Sequence, residues 1–157
     1  MKIRLLLLAF SLGIFACGGN EAQTSDATSE VKTEKDNPGN PSYDPKRGTG
    51  KFTNVEISPT IDLVMVKKGK SHFDLKCGSC HRLNTERLVG PGWKGVTARR
   101  APEWIMNFIT NTDEMINKDP QVQAQLELCL VRMPNQNLSD ADARSIYEFM
   151  RQNDTKK

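Results

Sequence analysis

The chain has 157 residues, 37% of them hydrophobic, 26% charged and only 6% aromatic, which leaves room for one domain and excludes a large multidomain enzyme. Its formal charge of +3 includes Lys2 and Arg4 of a signal-like start; without them 20 basic residues face 19 acidic ones, unlike the balance of a nucleic-acid-binding protein. Four cysteines and two histidines are few, yet three of the six fall within Cys77-Gly78-Ser79-Cys80-His81.

The charged start is followed by an apolar run of 11 residues, Leu5 to Phe15, and then Ala16-Cys17. Crossing a bilayer takes about 20 apolar residues, so this run reads as a cleaved export signal rather than a permanent helix. Ile14-Phe15-Ala16-Cys17 resembles the bacterial lipoprotein signal, with an aliphatic residue three before the cysteine and a small one directly before it. The resemblance implies a signal peptide over 1–17 ending at a lipidated Cys17. It also implies an exported protein, lipid-anchored on the periplasmic side of a bacterial membrane.

From 18 to 60 only seven of 43 residues are apolar, too few to close a core, and this stretch reads as a flexible polar tether. A coil of that length spans roughly 35 to 40 Å, enough to lift a small domain off a membrane. Within it Phe52, Val55 and Ile57 have the pattern of an arm lying on the domain. The folded domain is expected over 61–153, followed by a disordered tail over 154–157.

Helical order is expected from Ser58-Pro59-Thr60, with Ser58 as cap and Pro59 in the first helical position. At about 100° per residue, Val66, Gly69, Phe73, Cys77 and Cys80 share one apolar stripe that ends in two thiols. Trp104, Ile105, Phe108 and Ile109 follow Pro102 at helical spacing, and Val122, Leu126, Cys129 and Leu130 follow Pro120. Ser139 with Asp142 three residues on resembles a capping box for a last helix whose apolar face is Ala143, Ile146, Phe149 and Met150. No strand run or repeat is evident, so the class is all-α with about four to five helices.

Two thiols three positions apart on a helical turn face one way and can add to the two vinyl groups of a haem, and the adjacent imidazole then reaches the iron. The same residues could instead form a redox-active dithiol, a zinc site completed by Cys129 or His72, or a Cys77–Cys80 disulfide. A thioredoxin-like dithiol calls for a βαβ setting that the periodicity does not provide.

Residues from about 62 to 151 resemble a single-haem class I cytochrome c of the small bacterial kind, on features that occur in order. Gly69 and Phe73 lie on a stripe similar to the family's N-terminal helix, whose close crossing with the C-terminal helix would fall at Ile146 and Phe149. Cys77 to His81 is the haem motif. Val89-Gly90-Pro91 resembles the loop whose proline carbonyl accepts a hydrogen bond from the proximal imidazole, and Met133 in Val131-Arg132-Met133-Pro134 has the placing of the distal methionine. Trp93 stands where the family usually has a leucine.

The resemblance implies an all-α cytochrome c fold around one haem c, covalent through Cys77 and Cys80, with His81 and Met133 as axial ligands and Pro91 behind His81. The implied function is one-electron transfer without substrate turnover. Electrons would pass from a quinol-oxidising complex or other donor to a terminal oxidase or N-oxide-type reductase, the carrier being a monomer that touches the membrane through its anchor. One alternative is a ligand-sensing or peroxidatic haem protein with an open distal site. Another is a zinc- or disulfide-stapled lipoprotein serving as an interaction module.

The remaining residues have plainer roles. Met65, Met106, Met115 and Met150 suit core filling, His72 a solvated helix face, and Cys129 a small buried position beside Leu126. Trp93, Trp104, Arg99 and Arg100 could meet haem propionates or simply pack and solvate. Between Lys67 and Arg100 nine basic residues stand against two acidic ones, while between Ala101 and Asn153 four stand against eight. That polarity suggests steering toward an acidic redox partner.

Overall fold

The computed structural model describes residues 43–156; the signal segment, Cys17, the tether up to residue 42 and Lys157 lie outside the described residues. Six α-helices follow in order: α1 (Leu63–His72), α2 (Val96–Arg99), α3 (Pro102–Thr110), α4 (Thr112–Lys118), α5 (Pro120–Cys129) and α6 (Asp140–Thr155). A π-helical turn, Phe73–Cys77, extends α1. Among the described residues the sole β feature is an isolated bridge, Asp44 to Gly48, and no helix is long and apolar enough to cross a membrane.

The expected helix start is corrected. Ser58 Oγ accepts from the Thr60 N–H in a local turn, and α1 begins only after Asp62, whose carboxylate accepts from the Val64 and Met65 N–H groups at 2.8 and 3.1 Å. A carboxylate satisfies two of the orphan donors of the first turn at once, so the helix forms where that cap is available.

Burial follows the stripe through Val66, Gly69, Phe73 and Cys77. The π turn, closed by Gly78 N–H to Phe73 O at 2.8 Å, holds one residue more than an α turn. Cys80 is therefore carried past the helix end rather than riding the same stripe.

α1 crosses α6 at Gly69. A Cβ there would be driven into the Ser145 carbonyl oxygen and to 2.8 Å from Phe149 Cβ, so the expected partner Phe149 holds while Ser145 takes the place given to Ile146. Ile146, Phe149 and Met150 of α6 are buried with Ile105, Met106 and Ile109 of α3 and Met115 and Ile116 of α4. Of the four methionines expected in the core, Met106, Met115 and Met150 are buried and Met65 is half-buried.

Four further expectations are corrected. His72 is not simply solvated: its Nε2 lies 3.0 Å from Asp142 on α6, and Lys68 meets the same carboxylate at 2.8 Å. Asp142 is thereby drawn to α1, so only half of the capping box forms, Ser139 Oγ accepting from the Asp142 N–H. Leu130 leaves the α5 stripe because it ends that helix at a φ of +57° and is 85% exposed. The tail is not free, since α6 runs to Thr155 and Asp154 accepts from the N–H groups of Gly95 and Thr97 and from the Thr97 hydroxyl.

Residues 43–60, read as the end of the tether, lie on the domain. The Asn107 side chain donates to Arg47 O and Phe52 O and accepts from the Phe52 N–H, all at 2.9 Å. Glu103 Oε1 accepts from the Val55 N–H at 2.7 Å, and Phe52, Val55 and Ile57 pack on the core as the arm pattern suggested. Few apolar residues suffice here because polar side chains of α3 satisfy the arm's backbone.

Candidate functional site

The motif begins where the π turn ends. Cys77 is buried, and its carbonyl accepts from both the Cys80 and His81 N–H groups at 3.0 and 2.9 Å, folding Cys80 and His81 into one tight turn. Burial pushes the Cys77 thiol up to about 11, with Lys76 pulling weakly the other way. A redox-active dithiol needs the opposite shift.

After His81 the chain doubles back. The Val89 and Gly90 N–H groups both donate to Cys80 O, at 3.2 and 2.9 Å, and the Trp93 N–H donates to Arg82 O at 2.9 Å. Gly90 is thereby pressed on the His81 ring, where a side chain at 90 would collide with the imidazole. Pro91 O comes 2.8 Å from His81 Nδ1. A carbonyl only accepts, so Nδ1 carries the proton and Nε2 keeps its lone pair. Burial holds the imidazole below the usual histidine range, partly offset by the Pro91 bond, so the ring is a neutral donor.

Cys80, His81, Pro91 and Trp93 line a cleft. Trp93 is buried edge-on to Phe73 at 4.8 Å between centroids and 5.7 Å from the His81 ring. The segment read from the sequence only as helical packing also lines the cleft, through Ile105, Phe108 and Ile109 of α3, Ile116 of α4, and Val122 and Leu126 of α5. Their shared signal was the 3.6-residue period. What it could not show is that the three short helices turn those faces toward His81.

Met133 also lines the cleft, half-buried in the irregular segment between α5 and α6. Two ties hold this segment: Arg132 bonds Asp113 and Asn117 of α4, at 3.2 and 3.1 Å, and Lys76 Nζ donates to Gln136 O at 3.1 Å. The expected residues Cys80, His81, Pro91 and Met133 therefore border one cavity, with Cys77 buried beside it.

Arg99, Arg100 and Trp104 lie along the cleft as well, Arg100 stacked 4.1 Å over the Trp104 ring. Cys129 is half-buried on the cleft wall and not packed away inside. His72 is engaged by Asp142, and among the described residues no three His, Cys, Asp or Glu side chains gather to hold a metal ion.

The cleft fits a large, flat, apolar group whose metal takes soft or imidazole donors. Its walls are mostly hydrophobic, one imidazole nitrogen and one thioether border it, and cations occur along it for anionic substituents. Of the basic block, Lys68, Lys70 and Arg82 pair with carboxylates, whereas Lys67, Lys76, Arg87, Lys94, Arg99 and Arg100 have none among the described residues.

The sequence profile of the cytochrome c family matches residues 66–154. Among solved structures, cytochrome c from Rhodothermus marinus is 34% identical, with 67% of this chain and 90% of that chain covered and a TM-score of 0.65. An engineered form of that protein is 33% identical, with coverages of 68% and 92% and a TM-score of 0.65. The engineered form bound to a carbene intermediate gives a TM-score of 0.62 at 33% identity and the same coverages. A search of curated proteins returns no significant match.

Proposed function

The chain belongs to the cytochrome c family, and on that footing we propose that it is a membrane-tethered one-electron carrier in which His81 and Met133 are the axial ligands of a single haem c. Proteins of this family bind haem c covalently through cysteines, here Cys77 and Cys80, and transfer electrons between redox partner proteins. When bound, the haem supplies a one-electron iron couple, which a histidine–methionine pair holds at a relatively high potential.

The chain's own residues prepare that site. Pro91 O, by accepting the Nδ1 proton of His81, fixes the ring's orientation and makes Nε2 a better donor. The apolar residues of α3, α4 and α5 that line the cleft would reduce the water beside the haem, so less solvent would have to rearrange when its charge changes. Arg99 and Arg100, which line the cleft, would be available to the haem propionates, and His81 and Met133 would hold the iron through electron transfer.

Lipidation at Cys17 anchors the protein on the periplasmic side of the membrane. Of the tether expected over 18–60, residues 43–60 lie on the domain and the rest lies outside the described residues. A quinol-oxidising complex or other donor reduces the carrier, and a terminal oxidase or N-oxide-type reductase receives the electron. The carrier acts as a monomer, with its unpaired cations drawing it to an acidic partner surface through the association rate.

The observation that supports this reading most is the Pro91-held His81 facing a cleft that Met133 also borders. Absorption spectra of the oxidised and reduced protein, made with haem maturation, test it. The expected result is a haem that survives acid–acetone extraction, with a weak far-red methionine–iron band in the ferric form. A colourless protein sinks the carrier, and a ferric spectrum without that band transfers the chain to the sensing or peroxidatic class.

A further inference from the structure

The family profile begins at residue 66, yet the arm ahead of it reaches the cleft wall through one buried carboxylate. Asp119 is fully buried and its two oxygens have separate duties. Oδ1 accepts from the Gln121 and Val122 N–H groups at 2.8 and 3.1 Å and so caps α5. Oδ2 accepts from Tyr43 OH at 2.5 Å and from Trp104 Nε1 at 2.7 Å.

Both structures that Asp119 organises belong to the cleft. Trp104 lines it, and α5 contributes Val122, Leu126 and Cys129. We propose that Tyr43 is a positioning residue for the haem pocket, holding Trp104 and the first turn of α5 in place through Asp119, so that docking of the arm is felt in the cleft.

The physical basis is the cost of an incompletely satisfied buried carboxylate. With Tyr43 removed, Oδ2 keeps only the indole donor, and the carboxylate can regain a partner only by shifting toward solvent or another donor. Trp104 and the cap of α5 move with it, because both are bonded to the same group. The phenol is a dependable donor, since burial and the Asp119 carboxylate hold it well above the usual tyrosine range. Other anchors of the arm meet Asn107 and Glu103 of α3, Asn111 after it, Met115 of α4 and Asp140 of α6, and none of them bonds Asp119.

The proposal rests on haem occupying the cleft, so a visible spectrum of every variant separates loss of haem from loss of coupling. The measurement is the rate at which free imidazole binds the ferric haem of the purified, haem-loaded protein, alongside the thermal midpoint. Tyr43→Phe keeps the ring and removes one donor; it is expected to retain haem and to bind imidazole about fivefold faster, the factor that one net hydrogen bond is worth. Glu103→Ala cuts an arm anchor away from Asp119, and should lower the thermal midpoint while leaving the imidazole rate at the native value. In a Trp104→Phe background the effect of Tyr43→Phe on the rate should depart from additivity, because both donors serve the same oxygen, and strict additivity would count against the proposal. If Tyr43→Phe lowers the midpoint but leaves the rate unchanged, or if Glu103→Ala raises the rate equally, Tyr43 is only a structural anchor and the proposal fails.

Discussion

Gly69 of α1 lies against the main-chain carbonyl of Ser145 on α6 so closely that any side chain at 69 would overlap it. The obstacle is backbone, not the movable end of a side chain, and relief would require the two helices to separate. Gly69→Ala should therefore destabilise the protein by about 3 kcal/mol, the upper part of the overpacking range, despite alanine's better helix propensity. Chemical denaturation checks it, and an unchanged midpoint would show that the crossing is looser than described.

Met133→Ala should lower the reduction potential and let carbon monoxide bind ferrous haem rapidly, because loss of the thioether removes a ligand that favours ferrous iron and opens a coordination position. Potentiometric titration and flash photolysis read the two effects. Native values for both would assign the distal position to another residue.

Acid sensitivity should centre on Glu148, which is 0% exposed and sits between Arg144 and Arg151 while accepting from the Asp62 N–H at 3.0 Å. Burial alone would raise its pKa, but these three partners outweigh it and the carboxyl is held below the usual value. A depressed carboxylate stabilises the fold above its unfolded pKa, and that contribution disappears as pH falls through the lower folded value. Glu148→Gln should cost on the order of 3 kcal/mol at neutral pH, leaving two half-buried guanidinium groups short of a partner. Its deficit should shrink steadily below about pH 4. The Asp142 carboxyl is also held low, by Lys68 first and Ser139 next, so part of the acid dependence should survive in the variant. Denaturation midpoints measured from pH 7 to 3 decide it, a constant deficit counting against the assignment.

Cys17→Ser should release or misprocess the protein without abolishing haem binding, because firm anchoring takes two or more acyl chains on the mature N-terminus. Cell fractionation and intact mass provide the check. A native mature protein whose N-terminus is unmodified and begins elsewhere would exclude the lipid anchor.

Local chemistry was legible in the sequence wherever neighbours along the chain create it. Cys77, Cys80 and His81 share one turn because an i to i+3 spacing and a neighbouring imidazole force them together, and the stripe Val66, Gly69, Phe73 follows from helical period alone. Pro120 and Ser139 marked helix starts because capping uses groups within three residues.

Only the tertiary structure decided how distant segments meet. The π turn that displaces Cys80, the Asp142 carboxylate drawn to Lys68 and His72 in place of its own cap, and the Asn107 clamp on the arm all arise from long-range partners. Asp119 is the clearest case: in sequence it is an acidic residue before a proline, while in the fold it joins Tyr43, 76 positions away, to Trp104 and α5. Burying a carboxylate is tolerable only when donors arrive from several elements at once, and no spacing along a single segment reveals that convergence.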